Sequence, residues 1–323
     1  MNMLAARLLT AACLAAAIWG GQARAEDYPA RPIRIVVPYA AGGGSDISAR
    51  VLQNRMGELL KQQLIIDNRG GGGTLIGTRM VAAAPPDGYT LGVMDPAFLV
   101  NPSLSADAKY DPIKDFVAVS LISVTPMILV VPEAFPAKTL KELVDYARAN
   151  PGKLDYGSPG SGSAGHLAIE QFRSAFELRG THVPYKGSGP AMTAVVGGEV
   201  KALMAGSALI PMVLDGRLRA LAVTGGKRLA NLPSVPTFAE LGYPNINVQT
   251  FAALVAPAGT PAPVVQKLRD AVTGAVQTPE VKVLLEQRGQ LPVGSSAEDL
   301  AAFFRTNLVS LVKVVHEASI KAE

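Results

Sequence analysis

A single cysteine in 323 residues, Cys13, leaves no partner for a disulfide and no cluster for a thiolate metal site. Histidine is nearly as scarce. His166, His182 and His316 are the whole supply, and no two have the spacing of a metal-ligating pair. Charged residues make up 17% of the chain and the net charge is only +4, so nothing suggests a nucleic-acid surface. There is no Walker A sequence and no Gly-x-Ser-x-Gly nucleophile elbow. Long apolar runs are absent as well. Phe116 to Pro132 is uncharged, but Pro126 divides it and its Val/Ile content fits two buried strands better than a spanning helix.

Arg7, the apolar run Leu8 to Ile18 and the small-x-small sequence Ala23-Arg24-Ala25 read as a secretory signal, residues 1–25, cleaved after Ala25. Thr10-Ala11-Ala12 lacks the leucine that a lipoprotein signal places three positions before its cysteine. Cleavage removes Cys13, Trp19, Arg7 and Arg24, which leaves 28 basic against 26 acidic residues and a net charge of +2.

Strand-like runs at Ile33–Val37, Leu64–Asp67 and Tyr89–Met94 alternate with helical patterns at Ser45–Leu60 and Thr74–Ala84. This rhythm predicts α/β units around a mainly parallel sheet. It continues with strands at Met127–Val131, Leu154–Tyr156, Thr181–Pro184, Val200–Met204 and Leu218–Val223, between helices at Thr139–Ala149, Ser163–Phe176 and Pro190–Val196. From Pro261 the pattern is helical: Pro263–Val276, Pro279–Gln287 and Ala297–Ala318. Ser123–Pro132 and Val248–Pro263 read as passages between domains. Two passages predict a discontinuous first lobe, 26–125 with 251–323, around a second lobe, 126–250. The cleft between such lobes is a preferred small-molecule site.

What is abundant is glycine in two matched loops. In "VVPYAAGGGSDISARVLQNRM", Val36 to Met56, a strand runs into Gly42-Gly43-Gly44 and then into a helix with Ser45 or Asp46 at its start. The first N–H groups of a helix lack intrahelical partners and carry the positive end of the macrodipole, so a bare loop there suits an anion. A tight turn with an ordinary N-cap is the plainer alternative. "LDYGSPGSGSAGHLAIEQF", Leu154 to Phe172, repeats the design in the second lobe. Its Gly160-x-Gly162-x-x-Gly165 matches a dinucleotide fingerprint, but the next strand, Thr181 to Tyr185, ends without the acid that such a site needs. His166 either donates to a ligand or stiffens this loop. Tyr39 either lines the cleft or packs in the core.

Several stretches together resemble the Bug (TctC-like) extracytoplasmic solute-binding proteins of tripartite tricarboxylate transporters. They include "YPARPIRIVVPYAAGGGSD", "DNRGGGGTLIGT", "PPDGYTLG", "YDPIKDFVAVSLI", "GKLDYGSPGSGSAGHLA", "THVPYKGSGPAMT", "LPSVPTFAELG" and "VAPAGTPAPVV", in that order along the chain. The resemblance implies a type II periplasmic-binding-protein fold, in which two α/β lobes joined by two crossovers close on one organic carboxylate. It implies a monomer in the periplasm, without metal, cofactor or catalytic residues, that serves the membrane subunits of a tripartite tricarboxylate-type transporter. Ligand contacts carry over to Tyr39, Ala41, Gly42, Gly43, Gly44, Ser45 and Asp46, to Ser158, Gly160, Ser161, Ser163 and His166, and to Asp95, Ala205 and Phe251. Two positions depart from the pattern. Asp95-Pro96 stands where many relatives have glycine or a small hydroxyl residue, and Ala205 where many have an aspartate that takes an amino group. Asp95 either meets a donor on the ligand or caps a turn before Pro96. The other functional classes are a ligand-sensing partner of a membrane signalling receptor and a secreted hydrolase or isomerase using Asp46, Asp95 and His166. The latter lacks a recognisable nucleophile–base set.

Overall fold

The computed structural model describes residues 28–185 and 187–320. The secretory signal read in residues 1–25, with Cys13, lies outside the described residues. The first sheet is built from β1 (Ile33–Val37), β2 (Leu64–Asn68), β3 (Thr90–Met94), β4 (Phe116–Pro126), β10 (Gln249–Pro257) and β11 (Leu291–Pro292), in the spatial order β11-β4-β10-β3-β1-β2. The second is built from β5 (Ile128–Pro132), β6 (Tyr156–Ser158), β7 (His182–Pro184), β8 (Ala202–Ala205) and β9 (Leu218–Val223), in the order β7-β6-β8-β5-β9. The chain thus forms two α/β lobes.

Both sheets are mixed rather than mainly parallel. β2, β1 and β3 run parallel, but β10 is antiparallel to β3 and β4, and β5 is antiparallel to β8 and β9. In the first sheet the departure has one main source, because Gln249–Pro257 lies inside the stretch read as an interdomain passage and is in fact a central strand. It carries no charge because seven of its nine residues, Phe251 to Pro257, are buried between neighbours on both sides. The return passage therefore ends before Gln249. Another element absent from the sequence reading is the helix α3 (Pro96–Leu104), whose residues Pro96 to Asn101 are all buried. A helix apolar on every side shows no amphipathic period, and Pro96 and Pro102 disguise it further, although proline is well tolerated in a first turn.

Most other elements start and stop where local chemistry dictates. The helix α4 (Leu140–Ala149) is capped by Thr139, whose Oγ1 accepts from Glu142 N–H at 3.2 Å, while Glu142 Oε2 accepts from Lys138 N–H at 2.6 Å. In the first lobe the apolar faces of α1 (Gly44–Leu60), with Leu52 and Met56, and of α8 (Ala262–Val276), with Leu268 and Val272, close over the sheet. The strand expected at Leu154–Tyr156 is displaced to Tyr156–Ser158, so the first residues of the second glycine loop are themselves paired with β7 and β8.

One residue, Met127, separates β4 from β5. Its N–H donates to Thr224 Oγ1 at 2.8 Å, and its carbonyl accepts from Thr224 N–H at 2.9 Å. The second passage returns beside the first, where Gly225 N–H donates to Asn247 Oδ1 at 2.9 Å. Registers fix what this does to the sheets. Pro126 pairs with Gln249, while Ile128 pairs with both Ala205 and Val223. The carboxyl ends of β1, β2 and β3 therefore lie on the same edge of their sheet as the crossover. The carboxyl ends of β6, β7 and β8 do the same in theirs, and in open α/β sheets ligands bind beyond such ends.

Candidate functional site: two glycine loops across a cleft

The first loop leaves β1 and enters α1. Its helix starts one residue earlier than expected: Gly43, not Ser45 or Asp46, is the N-cap, and no side chain caps it. The first helical bond runs from Ile47 N–H to Gly43 O at 2.9 Å, so the N–H groups of Gly44, Ser45 and Asp46 have no acceptor within the helix. Gly42 has φ +89°, a conformation that favours glycine. A Cβ at Gly42 would meet nothing within 4 Å, and at Gly43 and Gly44 the nearest atoms would be Ala40 O at 3.7 Å and Gln290 Nε2 at 3.9 Å. Backbone donors thus border open space. In the other glycine run, Gly70 packs on the backbone of Tyr39 and Ala40, with 3.2 Å from its Cβ position to Ala40 N, while a Cβ at Gly73 would meet nothing within 4 Å.

The Asp46 carboxylate is turned into its own loop. The residue is 2% exposed, and its carboxylate accepts from Gly42 N–H at 2.8 Å, from Asn68 Nδ2 at 2.9 Å and from Arg50 Nε at 2.9 and 3.0 Å. Burial works to raise its pKa, but the hydrogen bonds from Arg50, Gly42 and Asn68 prevail and hold it below the usual carboxylate value. Its role is to brace the loop. Ser45 is buried, while Ala41, Gly42 and Gly44 are exposed. Sequence reasoning missed a second brace, Gln290, which donates to Gly44 O at 3.1 Å and accepts from Ser48 Oγ at 3.0 Å. Its only possible signal was a lone amide after a helix, which says nothing about direction.

Tyr39 and Asp95 sit past the ends of adjacent strands, β1 and β3. Tyr39 Oη donates to Asp95 Oδ2 at 2.5 Å, and Asp95 Oδ1 accepts from Ala97 N–H at 3.0 Å as the N-cap of α3. The turn-capping alternative for Asp95 is therefore present in the structure. Burial pushes the Asp95 carboxyl up to about 6 despite the bonds from Tyr39 and Ala97. Burial and the neighbouring carboxylate raise the Tyr39 hydroxyl well above its ordinary value.

The second loop runs from Ser158 to α5 (Ala164–Ala175). Ser163 is the N-cap, accepting from His166 N–H at 3.3 Å. Of the two readings of His166, the structure supports the stiffening one. The ring is 5% exposed, its Nδ1 accepts from Gly162 N–H at 3.1 Å, and its Nε2 lies 3.7 Å from Glu170 Oε1. A ring accepting at Nδ1 holds its proton on Nε2, toward that carboxylate. Ser158 is fully buried and its Oγ lies 2.7 Å from His182 Nε2, so its hydroxyl is also turned inward. His182, read as a plain strand residue, stacks on His166 with ring centroids 3.7 Å apart. Beneath them Glu170 takes hydrogen bonds from the Tyr156 hydroxyl and from Arg173 Nε and Nη2, the last two at 3.0 and 2.8 Å. Burial favours the neutral acid, but His166, Arg173 and Tyr156 lower the Glu170 pKa to about 2. Gly160 and Gly162 have φ +138° and +75°. They and Ser161 form the turn that this cluster holds.

The lobes touch on two sides of the cleft. A Cβ at Gly162 would lie 2.5 Å from Leu104 Cδ1, across the lobes, and one at Gly289 would lie 2.7 Å from Ile210 Cδ1 and Ser207 Cβ. The Phe251 ring is buried against Phe303 and Phe304, with centroids 5.2 and 5.9 Å away, and Ala205 is 1% exposed at the end of β8. Among the described residues no group of His, Cys, Asp or Glu could hold a metal, and no helix is long and apolar enough to cross a membrane.

Two mixed α/β lobes, crossed twice, with glycine loops at the carboxyl edges of both sheets, define a two-lobed solute-binding protein. The sequence matches the model of the tripartite tricarboxylate transporter family receptor, TctC, over residues 48–320, and the chain belongs to that family. It is 32% identical to the protein BugT of Bordetella pertussis, with 99% of both chains aligned. MatC of Rhodopseudomonas palustris, solved with bound malate, superposes with a TM-score of 0.80 at 31% identity, covering 89% of this chain and all of that one. A second R. palustris protein, solved with adipate, gives 0.84 at 34% identity, covering 91% and 99%.

Proposed function

We propose that the protein captures a small organic carboxylate between Tyr39–Asp46 and Ser158–His166 in the periplasm and delivers it to the membrane subunits of a tripartite tricarboxylate-type transporter. The observation that carries this reading is the uncapped start of α1. Three backbone N–H groups at a helix N-terminus, behind glycines that leave open space, can hold a carboxylate by hydrogen bonds and dipole without a cation. The malate and adipate of the two relatives supply the chemical class. Capture rather than catalysis is favoured because Asp46, Asp95 and His166, the groups a hydrolase would use, are each engaged in holding a loop or capping a helix.

Native mass spectrometry of the protein as purified, followed by thermal shift with malate, succinate and adipate, tests the reading. A bound ligand at about 100 times its Kd stabilises by about 2.7 kcal/mol. A carboxylate found with the protein, or a clear rise in unfolding temperature, is expected. Failure of every organic acid to shift the transition would refute the reading.

A further inference from the structure

The hydrogen of the Tyr39 hydroxyl is already committed. An ionised Asp95 can only accept, and its Oδ2 receives that hydrogen at 2.5 Å while Oδ1 is held by Ala97 N–H at 3.0 Å. Tyr110, the other phenol near Asp95, does not compete, because its hydroxyl donates to Phe98 O at 2.9 Å. With the carboxyl pushed up to about 6, Asp95 is ionised above neutral pH, and the direction of the Tyr39 bond is then fixed. Tyr39 is half-buried, three residues ahead of the glycines and beyond the carboxyl end of β1. What its oxygen offers to a neighbour is therefore a pair of acceptor sites and no donor.

We propose that the Tyr39–Asp95 pair makes this wall of the cleft an acceptor-only surface, which selects carboxylates whose carbon chain carries a hydrogen-bond donor such as a hydroxyl or an amine. The inference rests on the carboxylate-capture reading above. An acid lacking the donor leaves the Tyr39 oxygen unpaired when the lobes close over it, while one placing a second anionic oxygen there meets acceptor against acceptor. Asp95 acts on the ligand through Tyr39 and is a positioning residue.

The test is calorimetric titration at pH 8 with matched pairs, malate against succinate and 3-hydroxyadipate against adipate, on the wild type and two variants whose unfolding midpoints are checked first. In the wild type the hydroxy acid of a pair that binds should be favoured about tenfold. Tyr39→Phe removes the acceptor and should bring the ratio close to one. Asp95→Asn turns the phenol hydrogen outward, because its amide oxygen keeps the Ala97 cap and its amide nitrogen takes the place of Oδ2 and donates to Tyr39. A ligand hydroxyl can accept from that hydrogen, so the malate preference should persist, whereas aspartate, whose ammonium only donates, should lose in this variant the advantage over succinate that it has in the wild type. Equal binding of both members by the wild type, or the same ratio in all three proteins, would overturn the inference while leaving carboxylate capture intact. Binding of no member of either pair would overturn both.

Discussion

Replacing Glu170 with glutamine removes the one negative charge beneath the second glycine loop while keeping its shape. In the folded protein Glu170 is 3% exposed, and its pKa falls from the ordinary 4.5 to about 2. Burial opposes this drop, and His166, Arg173 and Tyr156 together overcome it. A displacement of that size amounts to roughly 3 kcal/mol favouring the ionised form in the native state. Breaking one partner of a buried ion pair typically costs about 3–5 kcal/mol. The lower end applies here because Arg173 is 29% exposed and can rehydrate. For a chain of this size the unfolding midpoint at pH 7 should drop by about 6–12 °C. The sign with pH is fixed as well. A carboxyl whose folded pKa is depressed stabilises fully above its unfolded value, and that stability is lost as pH falls toward the folded one. Urea denaturation of wild type and Glu170→Gln between pH 7 and pH 3 should therefore give a gap that is constant down to about pH 5 and then narrows. A gap under about 1 kcal/mol at pH 7, or one that does not narrow in acid, would refute the assignment of Glu170 as the charged anchor of this loop.

Gly44→Val should leave the ligand-free midpoint within about 2 °C, because Gly44 is not in the left-handed region and its nearest non-local neighbour lies 3.9 Å from the Cβ position. The ligand-induced rise should vanish, since the side chain fills the space that the backbone donors border; a preserved rise would remove the loop from the site. Gly162→Ala places a Cβ 2.5 Å from Leu104 Cδ1 and forces alanine into φ +75°. Ligand affinity should fall several-fold by titration, and adding Leu104→Ala should recover part of it. An unchanged affinity in the single variant would mean that this contact between the lobes is not part of the bound state.

Periodicity and punctuation made much of the fold legible. β1, β9 and α9 (Pro279–Gln287) stand at the predicted boundaries because β1 and β9 are short apolar runs bounded by proline, glycine or charge, and α9 begins behind its Thr278 cap with Pro279 in its first turn. β10 was hidden as an uncharged stretch beside prolines that read as a passage, and α3 because a helix buried on all sides shows no amphipathic period. At the site, glycine was readable because few other residues can serve a left-handed turn or a bare approach. The polar residues among the glycines were not readable in the same way. Asp46, Ser158 and His166 have the chemistry of ligand contacts, yet their side chains turn inward, to Gly42 and Arg50, to His182, and to Gly162 and Glu170. Direction is set by residues distant in sequence, such as Asn68 for Asp46, Gln290 for Gly44 and His182 for Ser158. The first two lie 22 and 246 positions from their partners.

The crossover at Met127 has a kinetic consequence. One residue, tied through both its backbone groups to Thr224, joins two strands that are each fully paired within their own sheet. At this crossing, bringing the lobes together therefore orders no flexible linker, and little chain entropy is lost there on closing. The free energy of ligand contact remains available to hold the cleft shut, and the time to open again is set by those contacts rather than by local refolding. A receptor jointed in this way can release its cargo as fast as the cargo's own bonds break.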